Sequence, residues 1–168
     1  DADFFFKADT AQKLEAFLPR LDTLTFQEQL GSMLDKSKRL EILAPQIGER
    51  LQLTAAEIQA VERAAHLSKA DLATHMVVEF TNLQGIMGYE YAKISGESEA
   101  VATAIVEHYY PQTGLPGETL SRPGLALNLA NRLDKSESLA SNLRKAPKGI
   151  RKNIEVYRKV AEDGFQPE

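Results

Sequence analysis

Apolar residues recur at helical spacing along nearly the whole chain, and nowhere do they alternate. Leu14, Phe17, Leu18 and Leu21 form one such set; Leu30, Met33, Leu34, Leu40 and Leu43 form a second. Steps of three and four residues put side chains on one face of a helix, whereas a half-buried strand needs strict alternation. The pattern therefore predicts an all-α fold, a compact multi-helix bundle. With 168 residues, 43% of them hydrophobic, the chain can bury its own core. It has no cysteine, which removes disulfides and thiolate metal sites together.

The breaks divide the chain further. Pro45 predicts a break or kink near Ala44, because proline has no N–H to donate and crowds the preceding turn. Thr54 and Glu57 have the spacing of a capping box opening a helix that carries Ile58, Val61, Ala65 and Leu67. Asp71 to Phe80 and Leu83 to Ile94 read as two more helices, and Ser98 as the cap of another with Val101, Ile105 and Tyr109. Pro111 to Gly117 reads as the long loop. Helix resumes near Pro123 with Leu125, Leu127, Leu129 and Leu133; Ala146 to Gly149 then separates two terminal helices, the last with Ile150, Ile154, Tyr157 and Val160.

Gly85 and Gly88 flank Ile86 and Met87 in what reads as helix. Each costs about 1 kcal/mol relative to alanine there, so something uses the close approach that a missing Cβ allows. Tight helix packing is the reading from the residues alone; a ligand contact is the alternative. His66, His75 and His108 show no metal-ligand spacing. His66 reads as a satisfied core or boundary histidine, and His75 and Glu79 are spaced for a surface ion pair. The net charge of −4 argues against generic nucleic-acid binding but leaves room for a local basic face. Lys36, Lys38 and Arg39 form one basic cluster, and Arg144, Lys145, Lys148, Arg151 and Lys152 another. No run is apolar and long enough to span a bilayer, so the reading is cytoplasmic, or an organelle matrix. The opening Asp1-Ala2-Asp3-Phe4-Phe5-Phe6 lacks an initiator Met and reads as the start of an excised fragment.

Phe26-Gln27-Glu28-Gln29-Leu30-Gly31-Ser32-Met33 with Asp35-Lys36, then Ser68-Lys69-Ala70-Asp71-Leu72, then Glu79-Phe80-Thr81-Asn82-Leu83-Gln84-Gly85-Ile86-Met87-Gly88 carry a resemblance. So do Tyr91-Ala92, Val101-Ala102-Thr103-Ala104-Ile105, Glu107-His108-Tyr109, Ala130-Asn131 and Leu133-Asp134. Together they resemble the beta subunit of the bacterial-type, two-subunit glycyl-tRNA synthetase. The resemblance covers most of residues 1–134.

In that family the region is an HD-like helical domain, which implies a multi-helix HD-like bundle over 1–134 with a lead-in at 1–25. It further implies binding of the tRNA(Gly) acceptor arm while the alpha subunit activates and transfers glycine. HD phosphohydrolases hold a divalent metal through histidines and aspartates. Lys36, Lys69, Asp71, Asn131 and Asp134 stand at the corresponding, degenerate positions, so no catalytic residue and no metal ligand is expected. Lys36, Arg39, Lys69 and Arg132 are the expected RNA contacts. ATP and magnesium are implied for the parent enzyme, and no cofactor for this stretch. Residues 135–168 depart from the family pattern and read as divergent or engineered helices packing on the domain. A residual metal-dependent phosphodiesterase and a stabilised scaffold without activity are the alternatives.

Overall fold

The computed structural model describes residues 1–27, 31–110 and 120–142. Helix α1 (Ala2–Thr10) leads into a 3₁₀ segment, Leu14–Thr23. Two short strands, β1 (Thr25–Gln27) and β2 (Gly31–Ser32), pair antiparallel before α2 (Met33–Arg50) and α3 (Ala55–Leu67). A 3₁₀ turn (Ala70–Ala73), α4 (His75–Glu79), a second turn (Thr81–Leu83), α5 (Ile86–Ile94) and α6 (Glu99–Glu107) follow, and α7 (Arg122–Asn142) closes the described chain. The fold is all-α, with the strands a two-rung exception that the lack of alternation did not announce.

The centre is a four-helix packing in which α2 lies along α3 and α7, and α6 covers α3 and α7 from the other side. Small residues allow this: Ala44, Ala64, Ala65, Ala102, Ala104, Ala126 and Ala130 are all fully buried. Leu40, Val61, Ile105 and Leu127 fill the space between them, and the 3₁₀ segment adds Leu14, Phe17 and Leu21. Each such large side chain contributes about 1.5–3 kcal/mol when taken fully out of water.

Several boundaries differ from the sequence-based expectation. Helix α2 runs through Pro45 without ending. The proline removes one ladder bond, but Leu40, Ala44 and Gly48 stay buried on the packed face, and that burial holds the helix together. Leu14–Thr23 is 3₁₀ rather than α and carries Pro19. The stretch read as a helix from Asp71 to Phe80 is split at Thr74, whose extended backbone and side-chain oxygen cap the amide of Val77. The expected loop 111–117 and terminal helices lie outside the described residues, apart from the part of α7 up to Asn142.

His66 sits at the boundary, its Nδ1 2.5 Å from Glu41 and its Nε2 3.0 Å from Glu15. His75 does not pair with Glu79. Its Nδ1 lies 2.9 Å from Asp9, because Asp9 is the buried hub that joins α1 to α4 and α5. The Asp9 carboxylate accepts from the amides of His75 (2.9 Å) and Met76 (3.0 Å) and from the Tyr91 hydroxyl (2.8 Å).

Burial pushes the Asp9 carboxyl up, and those bonds more than reverse it, leaving it below the ordinary 3.8. A lowered folded value gives stability that is present above the ordinary value and lost as pH falls through the folded one. Asp9→Asn should therefore cost about 1–3 kcal/mol at neutral pH. It should also flatten the acid limb of the stability curve below about pH 4. Urea melts across that range check both.

Candidate functional site

The site begins at the start of α2. Ser32 Oγ accepts from the Asp35 amide (3.2 Å) while Asp35 Oδ2 accepts from the Ser32 amide (2.9 Å), a reciprocal cap. With that start fixed, Lys36 and Leu40, one turn apart, both face inward. Lys36 is only 4% exposed. Its Nζ donates to Asp134 Oδ2 on α7 at 3.0 Å. Arg39 reaches the same carboxylate in a forked geometry, Nε to Oδ1 at 2.7 Å and one terminal nitrogen to Oδ2 at 3.3 Å. The Phe26 ring on β1 covers the pair from outside, its centroid 4.3 Å from Lys36 Nζ and 6.0 Å from Arg39 Cζ. Burial lowers Lys36, with Asp134 opposing; burial raises Asp134, and Arg39 and Lys36 more than reverse it.

A second layer lies deeper. Lys69, 2% exposed, places Nζ 3.0 Å from His108 Nε2 and 3.2 Å from the Tyr109 hydroxyl, over the Tyr109 ring. His108 Nδ1 faces the Ile105 carbonyl oxygen, which can only accept. The proton therefore sits on Nδ1, and Nε2 turns its lone pair to Lys69. Burial first, and Lys36 second, hold the Lys69 ammonium well below its usual range. Burial keeps His108 neutral, and pushes the Tyr109 hydroxyl well above its usual value.

Asp71 explains the two glycines. Its Oδ2 accepts from the amides of Gly85 (2.6 Å) and Gly88 (3.1 Å). Gly85 precedes α5 with φ of 79°, a left-handed conformation that glycine adopts without strain. Gly88 lies in α5 where a Cβ would stand 2.8 Å from Ile105 Cγ2 and 3.1 Å from Asp71 Oδ2. The packing reading is thus right for Gly88, and the run reads as unbroken helix only because Gly85 leaves no trace of its turn. Burial raises the Asp71 carboxyl to about 6 against those amides and Lys69. Asp71 Oδ1 and Asn131 Oδ1 are buried without a hydrogen-bond partner among the described residues.

The expected positions do converge. Lys36 binds Asp134, Lys69 lies in the field of Lys36, Asp71 and Asp134, and Asn131 sits one turn before Asp134 on α7. As RNA contacts they divide. Lys36 and Lys69 are interior, whereas Arg39 is about a third exposed (37%) and Arg132, bonded to the Tyr110 carbonyl at 3.0 Å, is exposed. His108, Tyr109 and Phe26 were quoted for the resemblance without a role. A charged Lys69 and a His108 set among apolar neighbours were the signal that each needed a partner. Among the described residues no three His, Asp or Glu side chains gather to hold a metal. The donor set does not fit one either, because a donor-only ammonium already occupies the Asp134 carboxylate.

The fold and this site define an all-α protein whose interior holds a buried lysine–carboxylate contact, Lys36 to Asp134. Residues 1–150 match the family model of the glycyl-tRNA synthetase beta subunit, and the chain belongs to that family. The match continues past Asp134, where the sequence reading placed a departure. The chain is 52% identical over 136 residues to a glycine–tRNA ligase beta subunit of Trichodesmium erythraeum, covering 80% of this chain and 19% of that one. It is 45% identical over 151 residues to the corresponding subunit of Mannheimia succiniciproducens (89% and 21%). To that of Bacillus subtilis it is 44% identical over 142 residues (84% and 21%). The chain spans about a fifth of the length of these relatives.

Asp134→Ala would strand a buried ammonium and should cost about 3–5 kcal/mol, with Lys36→Met in the same chain recovering much of it. Chemical denaturation of the single and double variants measures this. Gly88→Ala gains about 1 kcal/mol of helix propensity but meets Ile105 and Asp71, so a net loss of about 1–3 kcal/mol is expected in the same melts.

Proposed function

We propose that this domain binds tRNA(Gly) at its acceptor arm, as the HD-like part of a glycine–tRNA ligase beta subunit that works in the cytoplasm. Aminoacylation itself would be carried out with the alpha subunit, where the parent enzyme uses ATP and magnesium. The supporting observation is the charge balance at the junction of α2 and α7. Arg39 and Lys135 act on Lys36 beside the Asp134 carboxylate, and the Asp35 carboxylate also lies in the field of Arg39. Arg132 lies one turn before Lys135 on α7, and both are exposed.

Arg39, Arg132 and Lys135 place cations along one rim of a chain whose net charge is −4. Such a rim suits RNA phosphates, whose neutralisation releases counterions. In this reading Arg39, Arg132 and Lys135 face the backbone. Lys36 and Lys69 act from inside, by holding α2 and the end of α6 in place.

Binding of a tRNA(Gly) transcript should weaken steeply with salt. Arg39→Gln and Arg132→Gln should each lower affinity and reduce the salt slope by about one. Titrations by fluorescence anisotropy at several salt concentrations measure it; no binding at low salt would sink the proposal.

A further inference from the structure

Phe26 is placed unlike any other large apolar residue near the site. It stays outside the apolar core cluster and is only half-buried. Its neighbours are cations, Lys36 and Arg39. The strand pairing puts Thr25 opposite Ser32 and Gln27 opposite Gly31, so Phe26 is the extra residue of a bulge. A bulge re-aims one side chain out of the strand's alternation. The hairpin is held at its base by the Met33 amide donating to the Leu24 carbonyl at 2.8 Å and by Ser32 Oγ donating to Asp22 at 3.2 Å. The buried Lys36 ammonium lies over the ring, Arg39 lies farther off at 6.0 Å, and the ring itself stays partly exposed.

A partly exposed aromatic ring next to cations offers an unpaired base what it needs: stacking on the ring, and charge for the phosphates on either side. Duplex RNA, whose bases stack on each other, cannot use it. We infer that Phe26 is a stacking platform for one unpaired nucleobase of a single-stranded RNA segment, with Arg39 and Lys135 receiving the flanking phosphates. The inference rests on the RNA-binding reading above and names the form of RNA that this part of the surface takes.

The test uses the 168-residue chain and two probes. One is a single-stranded RNA of about ten nucleotides, within the site size of such surfaces, carrying 2-aminopurine. The other is a blunt-ended RNA hairpin. Phe26→Ala and Phe26→Leu should weaken the single-stranded probe roughly tenfold and abolish quenching of its 2-aminopurine, while Phe26→Tyr restores both. The blunt hairpin should be held equally by all four proteins. Leucine keeps an apolar cover over Lys36, so its loss of binding cannot be assigned to an opened ion pair. Wild-type affinity in Phe26→Leu, or equal weakening of both probes, would overturn the stacking role and leave the RNA-binding reading standing. Failure of the wild-type chain to bind either probe at low salt would overturn both.

Discussion

A lysine ammonium inside a protein has to be paired, and that requirement organises this domain. Leaving an ionised group unpaired in the interior costs several kcal/mol. Lys36 meets the requirement through Asp134, and the partners belong to helices 98 positions apart in sequence. The contact therefore does more than balance charge. It sets how α2 lies along α7, since any slide or rotation of either helix would separate Nζ from the carboxylate. Arg39, one turn from Lys36, then binds the same carboxylate and has its guanidinium held in a fixed plane. An interior demand thereby positions a group at the surface.

The same logic repeats one layer down, with a neutral solution. Among the described residues Lys69 has no carboxylate in hydrogen-bond contact; it has the imidazole lone pair of His108 and the hydroxyl of Tyr109. With Lys36 close by, a second full positive charge is disfavoured, and burial acts in the same direction. Asp71 is shifted the opposite way for the same reason, and spends its one bonded oxygen on two glycine amides. Those amides belong to the end of a turn and the first turn of α5. Asp71 therefore substitutes for the side-chain cap that α5 lacks.

Much of this could be read from the residues in order, because it depends on local rules. The periodicity gave the helices α2, α3, α6 and α7, and the Thr54–Glu57 box gave the start of α3 within a residue. The break allowed for at Pro45 does not occur, and the interruption at Thr74 was not expected. At Pro45 tertiary burial outweighs a local breaker; at Thr74 a local cap interrupts a stretch whose apolar spacing looked continuous. The bulged hairpin was invisible because two rungs are too few to alternate. The positions of Lys36, Lys69, Asp71, Asn131 and Asp134 came from the resemblance. That Lys36 meets Asp134 is a tertiary fact, as is the burial that takes all of them but Asn131 away from solvent. No spacing rule could have paired Asp9 with His75 and Tyr91, which join α1 to α4 and α5 across the chain.

A buried lysine ammonium can be compared with a bound metal ion, the other cation that draws interior carboxylates together. A dication among carboxylates pulls several elements toward one point. Here the cation is covalently part of the chain, on α2, and needs no loading. Its charge is smaller, so a single carboxylate balances it, and the remaining positions are freed to take neutral partners such as His108 and Tyr109. The cost is rigidity in one direction only: Lys36 can hold α7 but cannot also hold the turn at Asp71, which is why the glycine amides take over that end. The Asp134 carboxylate serves Lys36 and Arg39 together, and so ties α7 to two positions one turn apart on α2.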